Sequence, residues 1–167
     1  MASARRGEVR VHVDALPETV WVLLANLDRM GEWSPECYQV RWLDGASSPA
    51  APGTRFQGWN RFGRMRWSVI CEVKTAQASR ELVFSTVQKD REMVRWRYLL
   101  EPTDGGTDIT DSFEVVWLPF TARIAEDLLM RDRDRRRENA MRTTLQRIRT
   151  TAEADETSGE NPSRSTR

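Results

Sequence analysis

The sequence predicts an α+β domain, a curved antiparallel sheet of about six to seven strands around a long C-terminal helix, with two short helices after the first strand. Three observations carry that expectation. Residues of one kind recur every second position through most of residues 36–117, as in Val94, Trp96, Tyr98 and Leu100. Helical spacing replaces this alternation near both ends, in Val20, Leu23, Leu24 and Leu27, and again after Pro119. Turn signals at Asp44-Gly45, Phe62-Gly63-Arg64 and Asp104-Gly105-Gly106 are short, so successive strands pair as antiparallel neighbours.

Taken in order, residues 8–14 put Val9, Val11 and Val13 on one face of a strand and His12 on the wet face. Pro17 suits the first turn of a helix over 17–27, and a second short helix or turn over 28–35 stops at Pro35. Tyr38, Val40 and Trp42 share a face in the next strand, followed by an Ala/Ser/Pro-rich loop over 46–53. Phe56, Gly58, Asn60 and Phe62 alternate next, then Trp67, Val69, Cys71 and Val73, then Leu82, Phe84 and Thr86. Val94 to Leu100 supply another strand, and Ile109, Asp111, Phe113, Val115 and Trp117 the last. From Pro119 one helix is expected to about Glu153, with Ile124, Leu128, Met141, Leu145 and Ile148 on one stripe. The domain expectation is therefore a flexible segment 1–7, a folded unit 8–153 and a polar, disordered tail 154–167.

Bulk properties exclude several functions. A chain of 167 residues with net charge +1 has no global field for nucleic acid or an anionic membrane, and no apolar run reaches the roughly 20 residues needed to cross a bilayer, so no stable membrane insertion is expected. Two cysteines, Cys37 and Cys71, give neither a disulfide framework nor metal spacing, which fits a cytoplasmic protein with reduced thiols. A single histidine makes a Ser-His-Asp or Cys-His mechanism improbable. No metal and no cofactor is expected. Seven tryptophans suit a thick core or a cavity with flat apolar walls.

A sheet curved around one helix leaves space on its concave face, and several side chains are expected to look into it. Trp33, Tyr38, Phe56, Trp67, Phe84, Trp96, Tyr98, Phe113 and Leu128 are candidate apolar walls for a ligand, or plain core. Gly58 leaves a gap that favours sheet bending or a ligand close to backbone. Asp111, between Ile109 and Phe113, is either a general acid/base or ligand anchor, or the partner of an arginine on the long helix. A bulge could instead turn it outward. Asn60 could hold a ligand carbonyl or an enolate, or bond backbone near the hairpin turn. Asp111 and Asn60 are thus the candidate catalytic pair. The run 131–138 is read either as a polar pocket floor, with Arg131 or Arg135 facing Asp111, or as a solvated surface of helical ion pairs.

The motifs Met30-Gly31-Glu32-Trp33-Ser34-Pro35-Glu36, Asn60-Arg61-Phe62-Gly63-Arg64, Arg66-Trp67, Arg95-Trp96-Arg97-Tyr98 and Thr110-Asp111-Ser112-Phe113-Glu114 resemble the START-related helix-grip (SRPBCC) superfamily. The resemblance is to its polyketide cyclase/dehydrase-like branch and covers roughly residues 8–152. It implies a helix-grip fold that binds a lipid, polyketide or aromatic metabolite, or an aromatase/cyclase or dehydratase acting on a carrier-bound polyketide. A carrier protein or a second copy of the chain is the protein partner it leaves open, and a module that docks partners through its long helix is the remaining alternative.

Overall fold

The computed structural model describes residues 5–129 and 132–159. Its strands are β1 (Arg6–Val13), β2 (Cys37–Trp42), β3 (Arg55–Phe62), β4 (Met65–Gln77), β5 (Glu81–Gln88), β6 (Arg91–Thr103) and β7 (Gly106–Val115). They form one antiparallel sheet in the order β1-β7-β6-β5-β4-β3-β2. Each neighbour from β2 to β7 is next in sequence, because every connection is a short turn or loop. The helices are α1 (Pro17–Ala25), α2 (Met30–Trp33), α3 (Phe120–Leu129) and α4 (Arg133–Gly159), with a 3-10 turn at Leu27–Arg29. This is the expected α+β helix-grip architecture.

Alternation decides what is buried. In β3, Phe56, Gly58 and Asn60 are buried while Arg61 and Phe62 at the strand end are exposed. In β7, Thr107, Ile109, Asp111 and Phe113 face inward. Met141, Leu145, Ile148 and Ala152 of α4 pack at one end of the concave face against β1 and α1, with Val9, Val13, Val20 and Leu23. Burying aliphatic side chains of this kind stabilises by roughly 1.5–3 kcal/mol each.

Four elements depart from the expectation. The last helix is two, because the chain breaks before α4, where Asp132 has φ +63. Ile124 and Leu128 are 41% and 73% exposed and do not continue the stripe of Met141 and Leu145. α4 runs on to Gly159 instead of ending at Glu153; residues 1–4 and 160–167 lie outside the described residues. The last strand stops at Val115, short of Trp117. In β2 the register slips between Cys37 and Gln39, leaving Tyr38 as an extra residue. A one-residue bulge reverses the alternation, so Cys37 and Val40 turn inward and Tyr38 does not.

The β6–β7 turn ties the sheet to α1. Thr107 Oγ1 donates to the Ala15 carbonyl at 2.7 Å, fully buried. Gly106 next to it has φ +152, and a Cβ there would overlap the Val13 carbonyl oxygen. Gly106→Ala is therefore expected to cost about 2–4 kcal/mol in chemical denaturation, while Gly105→Ala, in open space, costs under about 1 kcal/mol.

Candidate functional site

Between the concave face of the sheet and the first turns of α4 lies a cavity of about 450 Å³. Volumes of this order accept drug-sized molecules. The sheet supplies an apolar wall of Phe56, Trp67, Val69, Phe84, Val94 and Trp96, softened by Met65 and Met93. Gly58 lies between Phe56 and Asn60 on the same face, and its missing side chain leaves room beside Cys37 and Val69. The helical wall is Leu118, Ala122 and Ala125, then Ala140, Met141 and Thr144. Small residues on α3 and α4 keep that side of the void open.

Three polar groups interrupt the sheet wall. Asp111 is 1% exposed, and its Oδ1 has no hydrogen-bond partner. Tyr98 stands directly opposite it across the β6–β7 ladder. Burial pushes the Asp111 carboxyl well above the usual carboxylate range, and the Tyr98 hydroxyl only partly opposes this. The Tyr98 phenol is itself raised, first by burial and then by the carboxyl. No ion pair among the described residues includes Asp111, so the expected arginine partner is not seen there. Burial therefore favours the protonated form, in which the carboxyl is a hydrogen-bond donor. Asn60, one of the buried polar residues, borders the same cavity, and no hydrogen bond within the protein uses its amide among the described residues.

A second polar group closes the helical end. Arg137 donates to Glu126 at 2.7 Å and to Asp134 at 2.8 Å, while Arg5 reaches Asp134 at 2.7 Å and Glu126 at 3.0 Å. Arg133 makes a bidentate pair with Glu36, one arm at 2.8 Å. The two arginines also cover aromatic faces, Arg133 over Trp67 at 5.6 Å and Arg137 over Phe113 at 5.4 Å. Burial lowers the Arg137 pKa below its ordinary value; it works against Arg133 too, but there Glu36, with Glu126 and Asp134, more than offsets it. Three arginines meet three carboxylates, so the cluster is neutral as a whole.

The cavity also touches Cys37 and Cys71. Burial pushes the Cys37 thiol up to about 11 and Cys71 higher still, so neither is a thiolate at neutral pH. His12 stays on the outer face, bonded to Asp108 at 2.7 Å. Among the described residues no group of three His, Cys, Asp or Glu side chains could hold a metal ion.

Residues 4–153 match the family described as "Polyketide cyclase / dehydrase and lipid transport". The chain belongs to this family. Solved structures share its fold. One is a polyketide-cyclase-like protein from Corynebacterium glutamicum, 23% identical, with TM-score 0.57 and full coverage of both chains, 100% and 100%. The di-domain ARO/CYC StfQ of the steffimycin biosynthetic pathway is 13% identical, with TM-score 0.71 over 93% of this chain and 52% of its own. A protein from Thermus thermophilus is 13% identical, with TM-score 0.63 over 86% of this chain and 96% of its own. No curated protein matches the sequence.

Of the residues singled out from sequence, this family member brings Phe56, Gly58, Asn60, Trp67, Phe84, Trp96, Tyr98 and Asp111 to one cavity. The others lie elsewhere. Tyr38, turned by the bulge, stacks outside under Arg61 and Arg66 at 5.6 and 5.8 Å. Trp33 is core under Arg29, and Phe113 packs against Trp96 behind the wall. Leu128 and Arg135 are exposed, and Arg131 lies outside the described residues. The arginines that do line the cavity, Arg133 and Arg137, were missed. Counting back from Met141 in steps of four reaches both, whereas counting forward from Leu128 crosses the break.

A buried, protonated Asp111 makes a pH prediction. The folded state keeps this proton above the pH, about 3.9, at which the unfolded chain releases it, so folding stability falls as pH rises through that window. Asp111→Asn removes the dependence. Denaturant titrations at pH 4 and pH 8 should show the variant gaining on the wild type by at least about 1 kcal/mol at the higher pH. A constant difference contradicts the assignment.

Proposed function

We propose that the protein binds a hydrophobic small molecule, a lipid, polyketide or aromatic metabolite, in the cavity between sheet and α4. What carries the reading is an apolar void of about 450 Å³ with a buried carboxyl on its wall, one of whose oxygens has no hydrogen-bond partner. Leaving such a group unsatisfied costs about 1–3 kcal/mol, and a ligand carbonyl or hydroxyl that accepts from Asp111 removes that cost. Asn60 supplies a second donor and acceptor for orientation. Contact with Trp67, Trp96 and Phe84 supplies affinity at roughly 25 cal/mol per Å² of apolar surface, before the cost of association. Two buried, unreactive thiols fit a cytoplasmic setting.

A second reading is an aromatase/cyclase or dehydratase acting on a polyketide delivered by a carrier protein. The observation favouring it is the buried Asp111 carboxyl on the same wall as the free Asn60 amide. One could protonate a carbonyl while the other holds the enolate. It ranks second because the other cavity-lining groups with displaced pKa values, Tyr98, Cys37, Cys71, Arg133 and Arg137, include no carboxylate or imidazole to take a proton from the substrate as the partner of Asp111. The open cavity counts against a pure docking module.

Titration with lipophilic compounds should change tryptophan emission, and Trp67→Phe with Trp96→Phe should abolish most of that change. Ala140→Leu, which places about three extra carbons in the void, should weaken binding about tenfold or more while the fold persists. Unchanged emission across a broad panel, or undiminished affinity in the filled variant, contradicts the reading.

A further inference from the structure

The outer face of α3 is apolar. Phe120, Ile124 and Leu128 follow at i, i+4 and i+8, on one side of the helix, and are 76%, 41% and 73% exposed. The opposite side, Ala122, Ala125 and Glu126, faces the cavity. Glu126 holds α3 to Arg137 of α4, and the first turns of α4 in turn touch the β3–β4 hairpin, where Arg136 covers the ring of Phe62 at 4.3 Å. The tip of that hairpin and α3 therefore flank the same end of α4. Phe62, 38% exposed, adds a fourth protruding apolar side chain.

The charge around this ridge is one-sided. Residues 56–71 contain Arg61, Arg64 and Arg66 and no acid. All three are exposed, as are Arg123 on α3 and Arg135 on α4. Among the described residues no ion pair uses Arg61, Arg64, Arg66 or Arg135, whereas many arginines elsewhere, such as Arg10, Arg55, Arg95 and Arg97, are paired. Against these five exposed arginines stands the exposed Asp132, so the face stays positive although the whole chain is only +1.

We propose that this face docks on an anionic lipid bilayer, with α3 lying in the plane of the interface. An amphipathic helix with protruding Phe and Leu side chains and flanking arginines buries its apolar side at the headgroup boundary while the arginines meet lipid phosphates. A second copy of the chain fits worse, because two positive faces repel. The ridge is a protruding helix side flanked by arginines, which suits a fluid anionic surface. Ala122, Ala125, Met65 and Trp67 wall the cavity directly behind the docked face, so an apolar molecule has a short path between bilayer and cavity. Docking itself requires no ligand, so its test is independent of the ligand-binding reading.

Vesicle flotation decides the matter, with phosphatidylcholine alone and with about a third phosphatidylglycerol. The wild type should float with the anionic vesicles, less so with neutral ones, and less again as salt rises. Phe120→Glu with Leu128→Glu should weaken anionic-vesicle binding about tenfold or more, and Arg64→Glu severalfold. Val22→Glu, on an exposed site of α1, should bind as the wild type does, and circular dichroism should show all variants folded. Absence of binding to anionic vesicles, equal binding by the double variant, or association with an acidic protein but not with vesicles overturns the proposal.

Discussion

A single buried carboxyl, with no ion pair among the described residues, organises the interior. Asp111 sits on the concave face of β7, between Ile109 and Phe113, with no ion pair among the described residues and one oxygen unpartnered. In a solidly filled core such a group is replaced at little loss by an apolar side chain of similar shape. Beside an open cavity burial favours its neutral form, which offers a hydrogen bond to whatever enters. The void and the acid thus explain each other: the sheet curls round α4 only part way, and the space left over is where an uncompensated polar atom finds its use.

The second constraint is the break between α3 and α4. In one continuous helix the step from Leu128 to Met141 would turn through about 220°, so Ile124 and Leu128 would lie off the stripe of Met141 and Leu145 even without the break. Restarting the helix at Arg133 separates an apolar end, packed on β1 and α1, from a charged end beside the cavity. Arg133 and Arg137 are buried there only because Glu36, Glu126, Asp134 and two aromatic faces receive them. Removing one partner from such a cluster costs far more than the cluster gains over an apolar core. Its function is therefore geometric, holding α3 across the cavity while leaving the space beneath it empty.

Much of this was legible in the sequence, and the misses have physical causes. Period-two alternation survives folding because one face of each strand must be apolar, so Phe56, Gly58, Asn60, Trp96 and Asp111 were placed on the inner face from spacing alone. Tyr38 was misplaced because a bulge inserts one residue and reverses parity without leaving a glycine or proline to mark it. Arg135 was chosen over Arg137 because helical phase was carried through a break marked only by a left-handed Asp132. The match to the polyketide cyclase/dehydrase and lipid transport family fixes the fold, but the chemistry of the cavity comes from these particular side chains.

The protonation state of Asp111 is the most direct test of the whole account. Carbon-13 NMR of its labelled side-chain carboxyl, followed through a pH titration of the folded protein, reports it residue by residue. The account requires a carboxyl that is still protonated at neutral pH. A midpoint near the ordinary value of about 3.9 would mean that water or a cation reaches it, and would contradict a dry, uncompensated cavity.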